Sequence, residues 1–296
     1  IMLQQTTLAT VLGQRRFEKF LAQYPDLESI AAAPESELLR AWEGLGYYNR
    51  VRNLQKTARS VLADHDGRFP ESAAELQKLP GLGPYTAGAV ASFAFRQAAP
   101  IVDGNIARVL SRLYNDPTPI DSTPGQKLLW QRAAALLNAA QIHHHNAALM
   151  ELGQVLCSPK NPACDRCPVA RHCRAKDPAA LPRKKPRRQS IAVEEHALLV
   201  LKDQHILLAE SPNERRRGLH HLPLREVGEL AHLRPLTETH RYVITHHRVT
   251  LTLYPCPPSQ IPHGLQVGER YYPLSQLPDL PLPSPLRRAL EAVLGE

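Results

Sequence analysis

Four of the chain's five cysteines fall within seventeen residues, at Cys157, Cys164, Cys167 and Cys173, while Cys256 stands alone. So tight a group in a cysteine-poor chain favours a metal or cluster site over disulfides, and with it a reducing, intracellular compartment. Four thiolates hold either zinc or a [4Fe–4S] cluster. Structural zinc sites usually pair two CxxC knuckles and this group has one, Cys164 with Cys167. Spacing alone leaves both open, and residues 157–173 read as the loop that carries the four thiols.

The chain on either side of that loop differs in character. Residues 1–156 show apolar stripes at helical spacing: Phe17, Phe20, Leu21 and Tyr24; Leu38, Leu39, Trp42 and Leu45; Ile106, Val109, Leu110 and Leu113; Ala148, Leu152, Val155 and Leu156. Gly and Pro separate the stripes, which predicts an all-helical domain with short connections. Residues 174–190 are a basic linker, with five of the six residues 183–188 basic. Residues 191–296 read as mixed α and β. Ala197–Leu201 and Ile206–Ala209 form a hairpin around Lys202-Asp203-Gln204. Val249, Leu251 and Leu253 alternate with Thr250 and Thr252 as a half-buried strand. Ser284 and Pro285 suit the N-cap and first turn of a last helix.

A net charge of +8 attracts polyanions, of which DNA is the commonest, though general solubility gives the same sign. No run of about eighteen apolar residues marks a membrane span. No basic segment followed by an apolar one opens the chain, which begins on Ile1.

Two segments carry candidate chemistry. Leu79-Pro80-Gly81-Leu82-Gly83-Pro84-Tyr85-Thr86-Ala87 joins one predicted helix to the next. Its glycines allow a tight turn and close backbone approach, and N–H groups at the start of the next helix suit a DNA phosphate. This is a helix-hairpin-helix pattern, with an ordinary helical hairpin as the plain alternative. Some twenty residues on, Ile101-Val102-Asp103-Gly104-Asn105-Ile106 places Asp103 before an amphipathic helix, where an N-cap is the simplest role.

Together these segments resemble the helix-hairpin-helix glycosylase superfamily, in which this Asp is catalytic. The resemblance makes Asp103 the carboxylate that stabilises positive charge on the deoxyribose as the base leaves. The spacing C-x6-C-x2-C-x5-C directly after such a domain resembles the cluster loop of endonuclease III and MutY, which implies a [4Fe–4S] cluster on Cys157, Cys164, Cys167 and Cys173. Its implied role is structural and DNA-contacting.

Within the superfamily, Met2-Leu3-Gln4-Gln5-Thr6 and Gly44-Leu45-Gly46-Tyr47-Tyr48, followed by Arg50, Arg52, Asn53 and Leu54, resemble the MutY family of adenine DNA glycosylases. The implied fold is α+β: a helix-hairpin-helix glycosylase domain with the cluster loop, then a smaller Nudix-like domain that recognises 8-oxoguanine. The implied partner is double-stranded DNA carrying adenine opposite 8-oxoguanine, bound by a monomer in the cytoplasm, on a bacterial nucleoid.

The resemblance also implies roles for single residues. Tyr47 wedges beside the damaged base. Gln4 and Gln5 fill or flank the gap left by the flipped adenine, and Thr6, Gly81, Leu82 and Gly83 lie on DNA. Leu45 and Glu151 line the adenine, with Ala147 where some members have Gln. Asn105 orients groups near Asp103. Tyr85 stands where endonuclease III carries a Schiff-base lysine, and a phenol forms no imine. Thr245 and His246 match the family's Ser-His, with Thr245 keeping the hydroxyl. Gly218-Leu219-His220-His221-Leu222-Pro223 stands where the family often has GLW and FP, and no box of spaced glutamates supports pyrophosphohydrolase chemistry.

The family's general-acid Glu precedes the residue matching Ile1, in a Ser-Glu-hydrophobic-Met-Leu-Gln-Gln-Thr context. The chain as given is therefore expected to lack that acid, the preceding helix and a tryptophan of the adenine pocket, and to excise adenine poorly. An endonuclease III-type glycosylase/lyase and a non-catalytic mismatch-binding protein are the alternatives.

Overall fold

The structure is a computed structural model and describes residues 1–13, 15–186, 189–211 and 217–295. Arg187 and Arg188 of the expected basic linker lie outside the described residues. Short helices follow one another through α1 (Leu8–Leu12), α2 (Arg16–Gln23), α3 (Leu27–Ala32), α4 (Glu35–Ala41), α5 (Asn49–Asp64), α6 (Ala73–Leu76), α7 (Pro84–Phe93), α8 (Gly104–Leu113), α9 (Thr123–Ala135) and α10 (Ile142–Glu151). Then come β1 (Ile191–Leu199), β2 (Leu201–Lys202), β3 (His205–Glu210), β4 (His220–His221), β5 (Thr239–Ile244), β6 (His247–Pro255), β7 (Glu269–Pro273) and α11 (Ser284–Leu294).

The helix starts are written locally. Side chains of Thr7, Ser72, Asp103 and Ser122 each accept the backbone N–H three residues on, satisfying a donor that the helix itself leaves unpaired. Pro84 sits in the first turn of α7, where its missing N–H costs nothing. Among the described residues no helix is long and apolar enough to cross a membrane.

The chain divides into two compact units, Ile1–Arg59 with Arg188–Glu296, and Ser60–Arg187. In the first unit, Leu38, Leu39 and Val51 pack around the fully buried Trp42, and Leu219 from the C-terminal part joins them. Phe20 meets Trp42 edge-on at 5.7 Å. Tyr48 donates its hydroxyl to Leu282 O at 3.3 Å, and Arg287 grips Glu43 at 2.5 and 3.0 Å. The C-terminal part of this unit holds two sheets. One has the order β1-β6-β5, with β1 parallel and β5 antiparallel to β6. The other pairs β3 with β2, β4 and β7. Ala197, Leu199, Ile206, Leu208, Leu251 and Leu253 face α11 residues Leu286, Ala289 and Leu290 in one core.

In the second unit, α8 is the hub. Its Ile106, Ala107 and Leu110 pack with Ile101, Val102, Ile120, Leu129 and Ala133.

Several expectations are corrected in detail. Phe17 and Leu21 are exposed, so only Phe20 and Tyr24 of that stripe enter the core. Val155 is exposed because residues Leu152–Leu156 form a π-helical turn, which shifts the helical phase by one residue. The hairpin around Asp203 and Gln204 forms, with Leu201 opposite Ile206, but β1 before it pairs with β6 in the other sheet. Helix α11 begins one residue early: Ser284 is its first residue, and Pro283 precedes it as the cap. Burial of Val249, Leu251 and Leu253, with Thr250 and Thr252 half-buried, follows the expected alternation.

Candidate active site

The start of α8 gathers three of the expected residues. Asp103 caps the helix in extended backbone conformation, its Oδ1 accepting from Ile106 N at 2.7 Å. Its Oδ2 accepts from Asn105 Nδ2 at 3.3 Å. Both carboxylate oxygens are thus oriented by residues of the same turn, and the capping role coexists with any chemistry of the carboxylate. Tyr85, in the first turn of α7, lies near it. Burial first, and then the Asp103 carboxylate, holds the Tyr85 phenol above its ordinary pKa, so the site favours the neutral hydroxyl.

The hairpin that delivers Tyr85 turns at Gly81, whose φ of +78° suits glycine. Gly81 and Gly83 are exposed. Leu82 is buried, and its N–H is already given to Leu79 O at 3.2 Å. The exposed surface of the hairpin is therefore built from the glycines, with Leu82 as its anchor.

Arginines that sequence reasoning missed tie this turn to the cysteine loop. Arg108 donates from Nη2 to Asn105 Oδ1 at 2.9 Å and to Gly153 O at 2.6 Å, and from Nε to Cys157 O at 2.7 Å. Burial pulls its pKa down, while the nearby Cys157 and Asp103 favour its charge. One turn on, the fully buried Arg112 reaches Cys157 Sγ at 3.2 Å, Ser158 O at 2.8 Å, Pro159 O at 2.9 Å and Leu181 O at 3.0 Å. The signal was present: two arginines four apart inside an otherwise apolar stretch share one helix face. Gly153 belongs to the same seam. A Cβ there would meet Asn105 Cβ at 2.7 Å, so glycine lets the π-helical turn close against α8.

Cys157 and Cys167 are half-buried; Cys164 and Cys173 are exposed. The Cys164 thiol is held above its ordinary range first by desolvation and then by Cys157, Cys167 and Cys173. Among the described residues no group of three or more His, Cys, Asp or Glu is arranged to hold a metal ion as it stands. The donor set fits a four-thiolate group, and the sulfurs are not drawn onto a single ion.

In the other unit, Tyr47 is 52% exposed with φ +48°, and Gln5 is exposed with φ +54°. Gln4 and Thr6 are half-buried, and Thr6 Oγ1 accepts from Arg50 Nη2 at 2.9 Å. Leu45 is buried in the core around Trp42 rather than presented at a surface. Glu151 and Ala147 are exposed on α10. Thr245 and His246 form the two-residue turn between β5 and β6. Thr245 is exposed with φ +56°, and its Oγ1 lies 3.4 Å from His246 Nδ1. The β5–β6 pairing leaves these two residues at the tip by geometry.

The family model described as HhH-GPD superfamily base excision DNA repair protein matches residues 1–135. An adenine DNA glycosylase of Homo sapiens is 44% identical over 177 residues, covering 60% of this chain and 32% of that protein. One from Buchnera aphidicola subsp. Baizongia pistaciae is 39% identical over 175 residues, covering 59% of this chain and 49% of that protein. The chain thus spans about a third to a half of the length of these curated relatives. Among solved structures, a thermostable thymine-DNA glycosylase matches with a TM-score of 0.53 at 31% identity, covering 58% of this chain and 79% of that one. A trapped endonuclease III–DNA covalent intermediate matches with a TM-score of 0.51 at 26% identity, covering 58% and 79%.

Proposed function

The chain belongs to the HhH-GPD superfamily of base excision DNA repair proteins, and from that premise we propose that it is a monofunctional adenine DNA glycosylase acting on adenine opposite 8-oxoguanine. The observation that carries the reading is the start of α8, where Asp103 holds both oxygens in fixed directions beside the neutral phenol of Tyr85.

Breaking an N-glycosidic bond builds positive charge on the sugar. A carboxylate held in place before the reaction stabilises that charge without reorganising. Asp103 fills this role, with Asn105 fixing one oxygen and the Ile106 N–H the other. The base must leave the helix stack for the sugar to reach the carboxylate. Tyr85 offers no amine, so the sugar carbon is left to water and the product is an abasic site. Glu151, exposed on α10, is the proposed contact to the adenine edge.

The proposed DNA contacts of one unit are Gln4, Gln5, Thr6 and Tyr47, and those of the other are the hairpin glycines Gly81 and Gly83. Thr245 and His246, at the tip of a two-residue turn, are proposed to read 8-oxoguanine, within a Nudix-like part of residues 191–296. Cys157, Cys164, Cys167 and Cys173 would hold a [4Fe–4S] cluster. Bound there, the cluster would brace the loop that Arg108 and Arg112 fasten to α8, and hydrolysis of the glycosidic bond needs no electron from it.

The test is product analysis with the protein and a duplex carrying adenine opposite 8-oxoguanine. Free adenine and an abasic strand, with no protein–DNA adduct after borohydride, are expected. A borohydride-trapped adduct would assign a lyase instead, and binding without adenine release would assign a mismatch-binding protein.

A further inference from the structure

We infer that Arg50 is the positioning residue that holds Tyr47 and the Gln4–Thr6 loop in the geometry used on DNA, an inference that rests on the proposed reading of Tyr47 as a wedge beside the damaged base. Tyr47 and Gln5 both have left-handed backbone, at φ +48° and +54°. Bulky side chains rarely adopt this conformation, and it persists where the surroundings over-determine it.

One guanidinium supplies that constraint. Arg50 is buried at the start of α5. Its Nη1 donates to Gln4 O at 2.5 Å, Met2 O at 2.8 Å and Ile1 O at 3.2 Å. Its Nη2 donates to Leu45 O at 2.7 Å, Gly46 O at 3.0 Å and Thr6 Oγ1 at 2.9 Å. Two turns distant in sequence therefore share one donor fork. A planar fork presents its N–H groups in fixed directions, which a lysine ammonium does not. The guanidinium carbon also lies 5.8 Å from the Tyr47 ring centroid and 5.4 Å from that of Trp42. The polar contacts fall on the carbonyls just before Tyr47, so the backbone is fixed while the ring stays exposed for stacking.

The test uses the full chain and a duplex carrying adenine opposite 8-oxoguanine, with 2-aminopurine as the neighbour of the damaged base. Unstacking by a wedge raises the 2-aminopurine fluorescence. Tyr47→Ala should abolish the rise and weaken preference for the mismatch over matched duplex by roughly tenfold, the order of one base–aromatic stack. Arg50→Met should lose as much, the double variant no more than either, and Arg50→Lys should fall between. Thermal unfolding is measured in parallel, and Arg50→Lys carries the test if Arg50→Met does not fold. Full fluorescence in Arg50→Lys and Arg50→Met alongside its loss in Tyr47→Ala would overturn the inference alone. So would losses that add in the double variant. Full fluorescence in Tyr47→Ala would remove the wedge reading and this inference with it.

Discussion

Arg108 donates from Nη2 to the Oδ1 of Asn105 at 2.9 Å, and Asn105 in turn donates from Nδ2 to Oδ2 of Asp103 at 3.3 Å. The Nε of the same guanidinium donates to the carbonyl of Cys157 at 2.7 Å. One side chain thus joins the cysteine loop to the carboxylate at the helix start. Replacing it by Met removes the donor to Gly153 O and leaves Cys157 O only the longer bond from Arg112 Nη1 at 3.3 Å. A hydrogen bond to a charged group contributes about 1.5–3 kcal/mol, so Arg108→Met should lower unfolding stability by at least that amount in urea titrations. A loss below about 0.5 kcal/mol, the range of ordinary surface substitutions, would show that the network carries no weight.

Tyr48 gives a pH dependence with a definite sign. Burial, and then the Glu43 carboxylate, pushes its phenol up to about 12. An unfolded chain releases the same proton near pH 10. Between these values the folded state holds more protons than the unfolded one, so stability falls as pH rises. The contribution is fully present below about pH 10 and is lost through about pH 12, and is on the order of 2–3 kcal/mol. Urea titrations at rising pH should show this loss in the parent chain and a shallower one in Tyr48→Phe. Equal slopes would place the phenol in water.

The proposed role of Thr245 sets stability against recognition. A β-branched residue at φ +56° is strained at the hairpin tip, and glycine is not. Thr245→Gly should therefore leave stability unchanged or raise it by up to about 1 kcal/mol. Losing the hydroxyl should weaken preference for 8-oxoguanine over guanine by roughly 0.5–1.5 kcal/mol. Binding to both duplexes at one stated salt concentration reads the second effect, since phosphate contacts dominate total affinity. An unchanged preference would remove Thr245 from recognition.

The cysteine loop makes a compositional prediction. Anaerobically purified protein should carry about four iron and four sulfide per chain. Cys256→Ser should keep them, because Cys256 is buried among Leu198, Val200 and Tyr254 in a separate apolar core. Stoichiometric zinc without iron would overturn the cluster assignment.

Much of this was legible because it is local. Asp103 reads as a helix cap from its neighbours alone, Pro84 marks a first turn, and Val249 to Leu253 alternate as a half-buried strand does. What was not legible depends on partners distant in sequence. Nothing near Arg50 says that it will meet the carbonyls of Gln4 and Leu45. Nothing near β1 says that it will pair with β6 across some fifty residues rather than with β3. Leu45 and Leu82 sit in glycine-rich motifs that suggest exposure, yet both are buried, because a tight turn needs an apolar anchor as much as it needs glycine. The grouping of residues 1–59 with the C-terminal part rests on contacts such as Tyr48 with Leu282 and Glu43 with Arg287, which no periodicity encodes.

Asp103 is proposed to stabilise charge on the sugar while adenine leaves. Single-turnover release of adenine from an 8-oxoguanine-containing duplex, compared between the protein and its Asp103→Asn variant, is the decisive measurement. Asn keeps an oxygen for the Ile106 N–H and loses the negative charge, so the fold and the DNA affinity should persist. The rate should drop by about 10²–10³, the range seen when an electrostatic stabiliser is removed. Equal rates from the two proteins, at equal DNA binding, would contradict the account, for the carboxylate would then be a helix cap and nothing more.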